Sequence, residues 1–250
     1  MSDTSKAILL VADISGFTGF MKLHAVSSSH AKQIVIRLLK SVIDVSKPPL
    51  KLAEVEGDAV FFYALSSEKE LKKTAQQVKA QVLRFFQSFE RELGILRQMN
   101  ICVCDACTKV DQLQLKQVIH QGEVSIEKIE KFEKLFGFDV IIVHRMLKNS
   151  VPSHEYLMMT DESYKNFEDF YGVQPEHRIE QFEGVGDVET LVFYPAELLK
   201  RMPSITSETT AVRRVPLSER VMWTSRLVGR AIVDLLGISK VKGTFGNLPA

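Results

Sequence analysis

Residues 7–14, AILLVADI, are apolar but for one acid near the end. Such a run lacks the polar alternation of a half-exposed strand, so it is expected to be a central strand covered on both faces, with Asp13 where the strand leaves the sheet. A strand of that kind needs neighbours on each side and helices above it, and the segments that follow have the patterns to supply them.

Ser27-Ser28-Ser29 predicts a helix N-cap. The apolar positions Ile34, Ile36, Leu38, Leu39, Val42 and Ile43 then have helical spacing, stopped at Lys47-Pro48-Pro49. LKLAEVE and AVFFYA are short β-prone runs separated by Gly57-Asp58, a turn pair suited to a tight hairpin, which puts Asp58 at its tip. Between 67 and 98, Leu71, Ala75, Val78, Val82, Phe85, Phe89 and Leu93 recur at three- and four-residue steps, predicting one long amphipathic helix. QLKQVIHQGEV predicts a strand leaving through Gly122, SIEKIEKFEKLFG a second, charge-alternating segment, and FDVIIVHRMLKNSV a helix. The order is βαββαββα, followed by a strand (EYLMMT), a capped helical turn (DESYKNF) and a closing hairpin around Gly184-Val185-Gly186. These elements favour an α+β architecture with helices packed on one face of a mostly antiparallel sheet. Pro203, a Ser/Thr-rich patch and Pro216 mark a change of texture. Residues 1–202 are therefore expected to form the main domain, and 203–250 a C-terminal extension whose amphipathic helix, 218–236, docks on its own domain or on a second copy.

Composition narrows the function classes. The formal net charge is +1 and no long basic run occurs, which argues against nucleic acid as a partner. No stretch of about 18 apolar residues is present, so no transmembrane segment is expected, and the first residues lack a leader pattern, so cytoplasmic residence is expected. All three cysteines, Cys102, Cys104 and Cys107, lie within NICVCDAC, unlike a secreted disulfide framework. Three thiolates at this spacing suit a structural zinc site with a fourth ligand from His24, His30, His120, Asp105 or a second copy. A redox pair, or reduced thiols with no special role, are the alternatives.

Two acids, one at a central strand's exit and one at a neighbouring hairpin tip, can converge on one ion, because adjacent strands lie about 4.8 Å apart. An all-oxygen, partly hydrated setting suits magnesium. Acids in such places are more often merely solvated, and it is the surrounding residues that distinguish this pair. ADISGFTGF at 12–20 resembles the opening metal-and-phosphate motif of class III adenylate and guanylate cyclases, and EVEGDAVFF at 54–62 resembles their second metal hairpin. VIHQGEV at 118–124 is similar to the family's inner strand, FGFDVIIVHRM at 136–146 to its catalytic helix, and FEGVGDVETLVFYP to its terminal hairpin. The resemblance spans roughly residues 7–197 and implies the class III nucleotide cyclase fold, derived from a ferredoxin-like unit.

It also implies a chemistry. Asp13 and Asp58 would hold two magnesium (or manganese) ions, assisted by the Ile14 carbonyl, while main-chain amides of Gly16, Phe17 and Thr18 cradle the phosphates of a nucleoside triphosphate. The ribose 3′-hydroxyl would attack the α-phosphorus, giving a 3′,5′-cyclic nucleotide and pyrophosphate. Arg145 matches the arginine that stabilises the transferring phosphate. The site would form across a head-to-tail homodimer, metals on one chain and Arg145 with the base readers on the other. Departures are equally specific. Ile141 stands where the family has a ribose-orienting asparagine, and it can donate no hydrogen bond. Glu54 matches the guanine-reading glutamate of guanylate cyclases rather than the lysine of adenylate cyclases, whereas Lys134, at the second base-reading position, matches neither. These changes fit an enzyme of altered specificity or, alternatively, a catalytically degenerate module that senses nucleotides.

Overall fold

In the computed structural model of the chain, residues 4–22, 25–99, 104–200 and 213–236 are described. Strand β1 (Ser5–Ser15) is paired on both edges, with β3 (Ala59–Ser66) and with β4 (Gln114–Ile129), antiparallel in each case. Its even residues Ile8, Leu10, Ala12 and Ile14 enter one buried core and its odd residues Ala7, Leu9 and Val11 another, which is why the run is apolar without alternation. Asp13 continues the odd face.

Helices α2 (Ala25–Ile43) and α3 (Leu71–Met99) cover the even face, and β2 (Lys51–Glu56) completes a β2-β3-β1-β4 arrangement. With the intervening helices this is the βαββαβ ferredoxin-like unit expected. The sheet then extends through β6 (Tyr156–Thr160), parallel to β4, and the antiparallel β8 (Gly186–Phe193) and β7 (Glu176–Phe182), while β5 (Phe132–Phe136) pairs with the far half of β4. Helix α6 (Asp161–Phe167) is capped by Thr160, whose hydroxyl accepts from the Ser163 amide. On the odd face lies α5 (Phe138–Arg145), whose Ile142 and Val143, with Met146 just beyond its end, pack on Leu9, Val11 and Val118.

Two local expectations are corrected. Helix α2 begins at Ala25, so Ser27–Ser29 lie within its first turns and do not cap it; first-turn amides lack intrahelical partners, so serine is tolerated there. Strand β4 does not leave the sheet at Gly122 but runs past the expected segment to Ile129. The glycine has a packing role instead, because a Cβ on it would stand 2.0 Å from the Asp139 carboxyl carbon.

The last two helices are α7 (Pro195–Lys200) and α8 (Leu217–Leu235). Leu227 and Ala231 of α8 are buried, Trp223 packs against the even-face core, and the Arg37 guanidinium of α2 sits 4.8 Å from the Trp223 ring centre. The helix thus docks on its own chain. The division expected near residue 203 lies outside the described residues. Among the described residues no helix is long and apolar enough to cross a membrane.

Candidate functional site

Asp13 and Asp58 meet at one end of the sheet. The Ile14 amide donates to the Asp58 carbonyl at 3.1 Å, tying the hairpin tip to the end of β1. Both acids line a cleft of about 190 Å³ with Ile14, Ser15, Gly16, Phe17, Thr18, Gly19 and Lys116. Gly16 turns the chain with φ 85° into the short helix α1 (Phe17–Met21), which no side chain caps. Only glycine serves here, since a Cβ would sit 2.7 Å from the Gln112 carbonyl oxygen and the left-handed φ disfavours other residues. Ile14, Gly16, Phe17 and Thr18 thus lie together beside the two acids, on the end of β1, the turn and α1.

The electrostatics were not foreseen in one respect. Lys116 is the cross-strand partner of Asp13, and its ammonium lies 2.9 Å from Asp13 Oδ2 while also donating to the Leu147 carbonyl at 3.2 Å. Asp13 and Lys116 are both mostly buried, so the ion pair is an internal one. Asp58 is half-buried, and desolvation together with the charge of Asp13 pushes its carboxyl up to about 6, with Lys116 offsetting part of the rise. Two carboxylates compensated by a single lysine leave a net negative, oxygen-rich cleft, which fits a hard divalent cation. A lysine within the inner strand QLKQVIHQ was the available signal, because a buried ammonium needs an acid.

The remaining expected residues fall elsewhere. Glu54 on β2 and Lys134 on β5 form an ion pair with each other, so neither is an isolated solvated charge. Arg145, at the end of α5, pairs with Glu183 of the β7–β8 turn at 3.0 Å and is not among the residues lining the cleft. Ile141 is half exposed, and His144 packs edge-on against Phe61, 4.9 Å between ring centres.

Helix α5 is itself held by a buried polar chain. Asp139 Oδ2 accepts from the Glu123 amide at 2.7 Å and Asp139 Oδ1 meets His120 Nε2 at 3.0 Å; His120 Nδ1 contacts the Thr160 hydroxyl at 3.0 Å. His120 is thereby engaged away from the cysteines, and its candidacy as their metal ligand is corrected. His30 is the histidine beside the described cysteines: its Nδ1 lies 3.3 Å from Cys104 Sγ and 3.7 Å from Cys107 Sγ. Cys102, His24 and the side chain of Asp105 lie outside the described residues.

Uncharacterized protein Rv2561/Rv2562 of Mycobacterium tuberculosis (strain ATCC 25618 / H37Rv) is 38% identical over 154 residues, 62% of this chain and 70% of that protein. The chain belongs to that protein's family. Residues 35–156 also match the family described as "Protein of unknown function (DUF2652)", a span that includes Asp58, Lys116 and Arg145. Among solved structures, the adenylyl cyclase CyaB from P. aeruginosa superposes with a TM-score of 0.60 at 15% identity, covering 77% of this chain and 96% of that one. The guanylyl cyclase Cya2 gives 0.56 at 19% identity over 76% of this chain and 92% of that one. A class III adenylyl cyclase-like ATP-binding protein from Pseudomonas aeruginosa gives 0.51 at 16% identity over 66% of this chain and 35% of that one. At these identities the likeness establishes the fold, that of the class III nucleotide cyclases.

Proposed function

We propose that this protein binds a nucleoside triphosphate through a divalent cation, magnesium or manganese, held by Asp13 and Asp58, and that it does so as a homodimer. The carrying observation is the convergence of the two carboxylates, one with its pKa pushed up to about 6, beside the uncapped Gly16–Thr18 turn. A bound cation relieves the mutual repulsion of the acids and offsets phosphate charge. The Ile14 carbonyl is a further donor within reach of the same cleft. Because Lys116 already neutralises one oxygen of Asp13, the donor set suits one ion with a lysine beside it, in place of the two ions of the resemblance.

The main-chain amides of Gly16, Phe17 and Thr18 would receive the phosphate oxygens. A cleft of 190 Å³ is smaller than the about 300–1,000 Å³ that encloses a whole small molecule. It suits the phosphate end, leaving ribose and base to a second copy. Ile129, Phe132, Phe136, Phe138 and Ile141 stand exposed on the β4–β5 hairpin and α5, an apolar surface that such a copy would cover. The ATP-binding relative among the fold neighbours supports a nucleotide-binding role without requiring turnover.

The base and ribose end favours binding over catalysis. Glu54 and Lys134 neutralise one another, so a base must compete with an existing ion pair for their hydrogen bonds, and Ile141 cannot orient a ribose. The protein is read as a nucleotide-sensing or regulatory module. One feature favours the second reading, cyclisation to a 3′,5′-cyclic nucleotide with release of pyrophosphate: Arg145, which matches the phosphate-stabilising arginine of the resemblance, is partly exposed and would act on phosphate in the cleft of a second copy. When bound, the cation would lower the pKa of the attacking hydroxyl and neutralise the leaving oxygens. Equilibrium dialysis of each of the four nucleoside triphosphates, with magnesium and with chelator, tests the first reading; binding that ignores the chelator would contradict it. Assaying the same mixtures for cyclic product tests the second, and no product from any triphosphate with magnesium or manganese would remove it.

A further inference from the structure

A second group of metal-binding side chains lies away from the cleft and takes no part in the reading above. His30 of α2 and Cys107 are buried and Cys104 is partly so, and their three donor atoms lie within 4.8 Å of one another. Cys104 immediately precedes and Cys107 lies within a single helical turn, α4 (Asp105–Thr108), closed by the Thr108 amide donating to the Cys104 carbonyl at 3.0 Å. Residues three apart on such a turn present their side chains to the same side, and His30 faces both from the neighbouring helix.

The spacing fits zinc. A tetrahedral zinc ion, with Zn–S about 2.3 Å and Zn–N about 2.0–2.1 Å, sets its nitrogen and sulfur donors about 3.6 Å apart. The two separations from His30 Nδ1, 3.3 and 3.7 Å, straddle that figure. The other ring nitrogen, Nε2, is buried without a hydrogen-bond partner, while the Leu227 backbone of α8 is near enough to act on the ring. A metal-ligating histidine directs its second N–H to just such a main-chain group. Soft thiolates with one imidazole select zinc over magnesium or calcium, so this donor set differs in kind from the carboxylate cleft.

We propose that His30, Cys104 and Cys107 hold a structural zinc ion that ties α2 to the α3–β4 connection, with the back of the histidine ring against α8. Because α2 follows the turn that lines the cleft, the ion fixes the helix on which that turn is mounted. The site is independent of nucleotide binding and stands or falls separately from it.

The test is metal analysis of the full chain purified under reducing conditions and dialysed against metal-free buffer. One zinc per chain is expected, released by a thiol-modifying mercurial. Cobalt(II) exchanged into the wild-type chain should give a thiolate charge-transfer band and the visible spectrum of a tetrahedral site, a readout that does not depend on any variant folding. His30→Ala and Cys107→Ser should weaken zinc retention by more than the about 10–100-fold typical of losing an outer partner, while Asp13→Ala should keep its zinc. No zinc retained either as purified or after zinc is added back, no cobalt–thiolate band, or loss of zinc in Asp13→Ala would each overturn the proposal.

Discussion

Replacing Asp58 by asparagine should make the metal-free protein more stable while abolishing its function, and the size of the effect follows from the cleft. The Asp58 carboxyl rises from an ordinary value of 3.8 to about 6 because burial and Asp13 both oppose its charge. At about 1.4 kcal/mol per pH unit, that rise corresponds to an upper figure of about 3 kcal/mol. The group is only half-buried, and solvent screening reduces the cost to about 1–2 kcal/mol. The folded-state value lies above the unfolded one, so the ionised group opposes folding above about pH 6. That opposition fades as the pH falls through 6 toward 3.8. Asp58→Asn, nearly the same shape without the charge, should therefore exceed wild type by about 1–2 kcal/mol at pH 7.5 in chelator, and the advantage should fall to about a third of that at pH 4.5. Urea unfolding at both pH values measures this directly. Adding magnesium with a nucleoside triphosphate should stabilise wild type and leave the variant unchanged. An Asp58→Asn protein that is less stable than wild type at pH 7.5, or whose advantage is undiminished at pH 4.5, would refute the reasoning.

Other substitutions probe neighbouring parts of the account. Lys116→Met strips Asp13 of its buried partner and should cost about 3 kcal/mol without divalent cations; calorimetry should show that the same change raises the affinity for magnesium. Gly122→Ala drives a methyl into the Asp139 carboxyl and should destabilise by about 2 kcal/mol or more; adding Asp139→Ala should recover part of that loss in a double-mutant cycle. Arg178→Ala leaves Glu180, which is 4% exposed, with only the Ser150 amide and hydroxyl at 2.8 Å, and thermal or urea unfolding should show a loss of about 2–4 kcal/mol.

What could be read from the chain alone depended on whether the cause was local. β1 was legible because a strand sealed on both faces leaves an unbroken apolar run, and Asp58 because a Gly-Asp pair between β-prone segments marks a hairpin tip. α3 was legible from its three- and four-residue steps. The interactions that decide the chemistry join distant residues: Glu54 to Lys134 across 80 positions and His30 to Cys104 across 74. No periodicity reports such a pairing. Lys116 meets Asp13 only through the β1–β4 register, which is set by the fold as a whole. Gly122, read as the point where a strand leaves, is small because Asp139 reaches across it to His120. The serine run near the start of α2 has the chemistry of a cap, yet the helix starts ahead of it. The βαββαβ order was recoverable in full, whereas the partner of each charged group was not.

The central claim is that Asp13 and Asp58 share one divalent ion beneath a triphosphate. Manganese(II) titrated into the protein and followed by electron paramagnetic resonance counts bound ions without relying on turnover. With a nucleoside triphosphate present, wild type should remove about one manganese per chain from the free-ion signal, beyond what the nucleotide alone removes, and Asp13→Ala should remove none. Equal manganese binding by wild type and Asp13→Ala, or no protein-dependent binding with any triphosphate, would contradict the account.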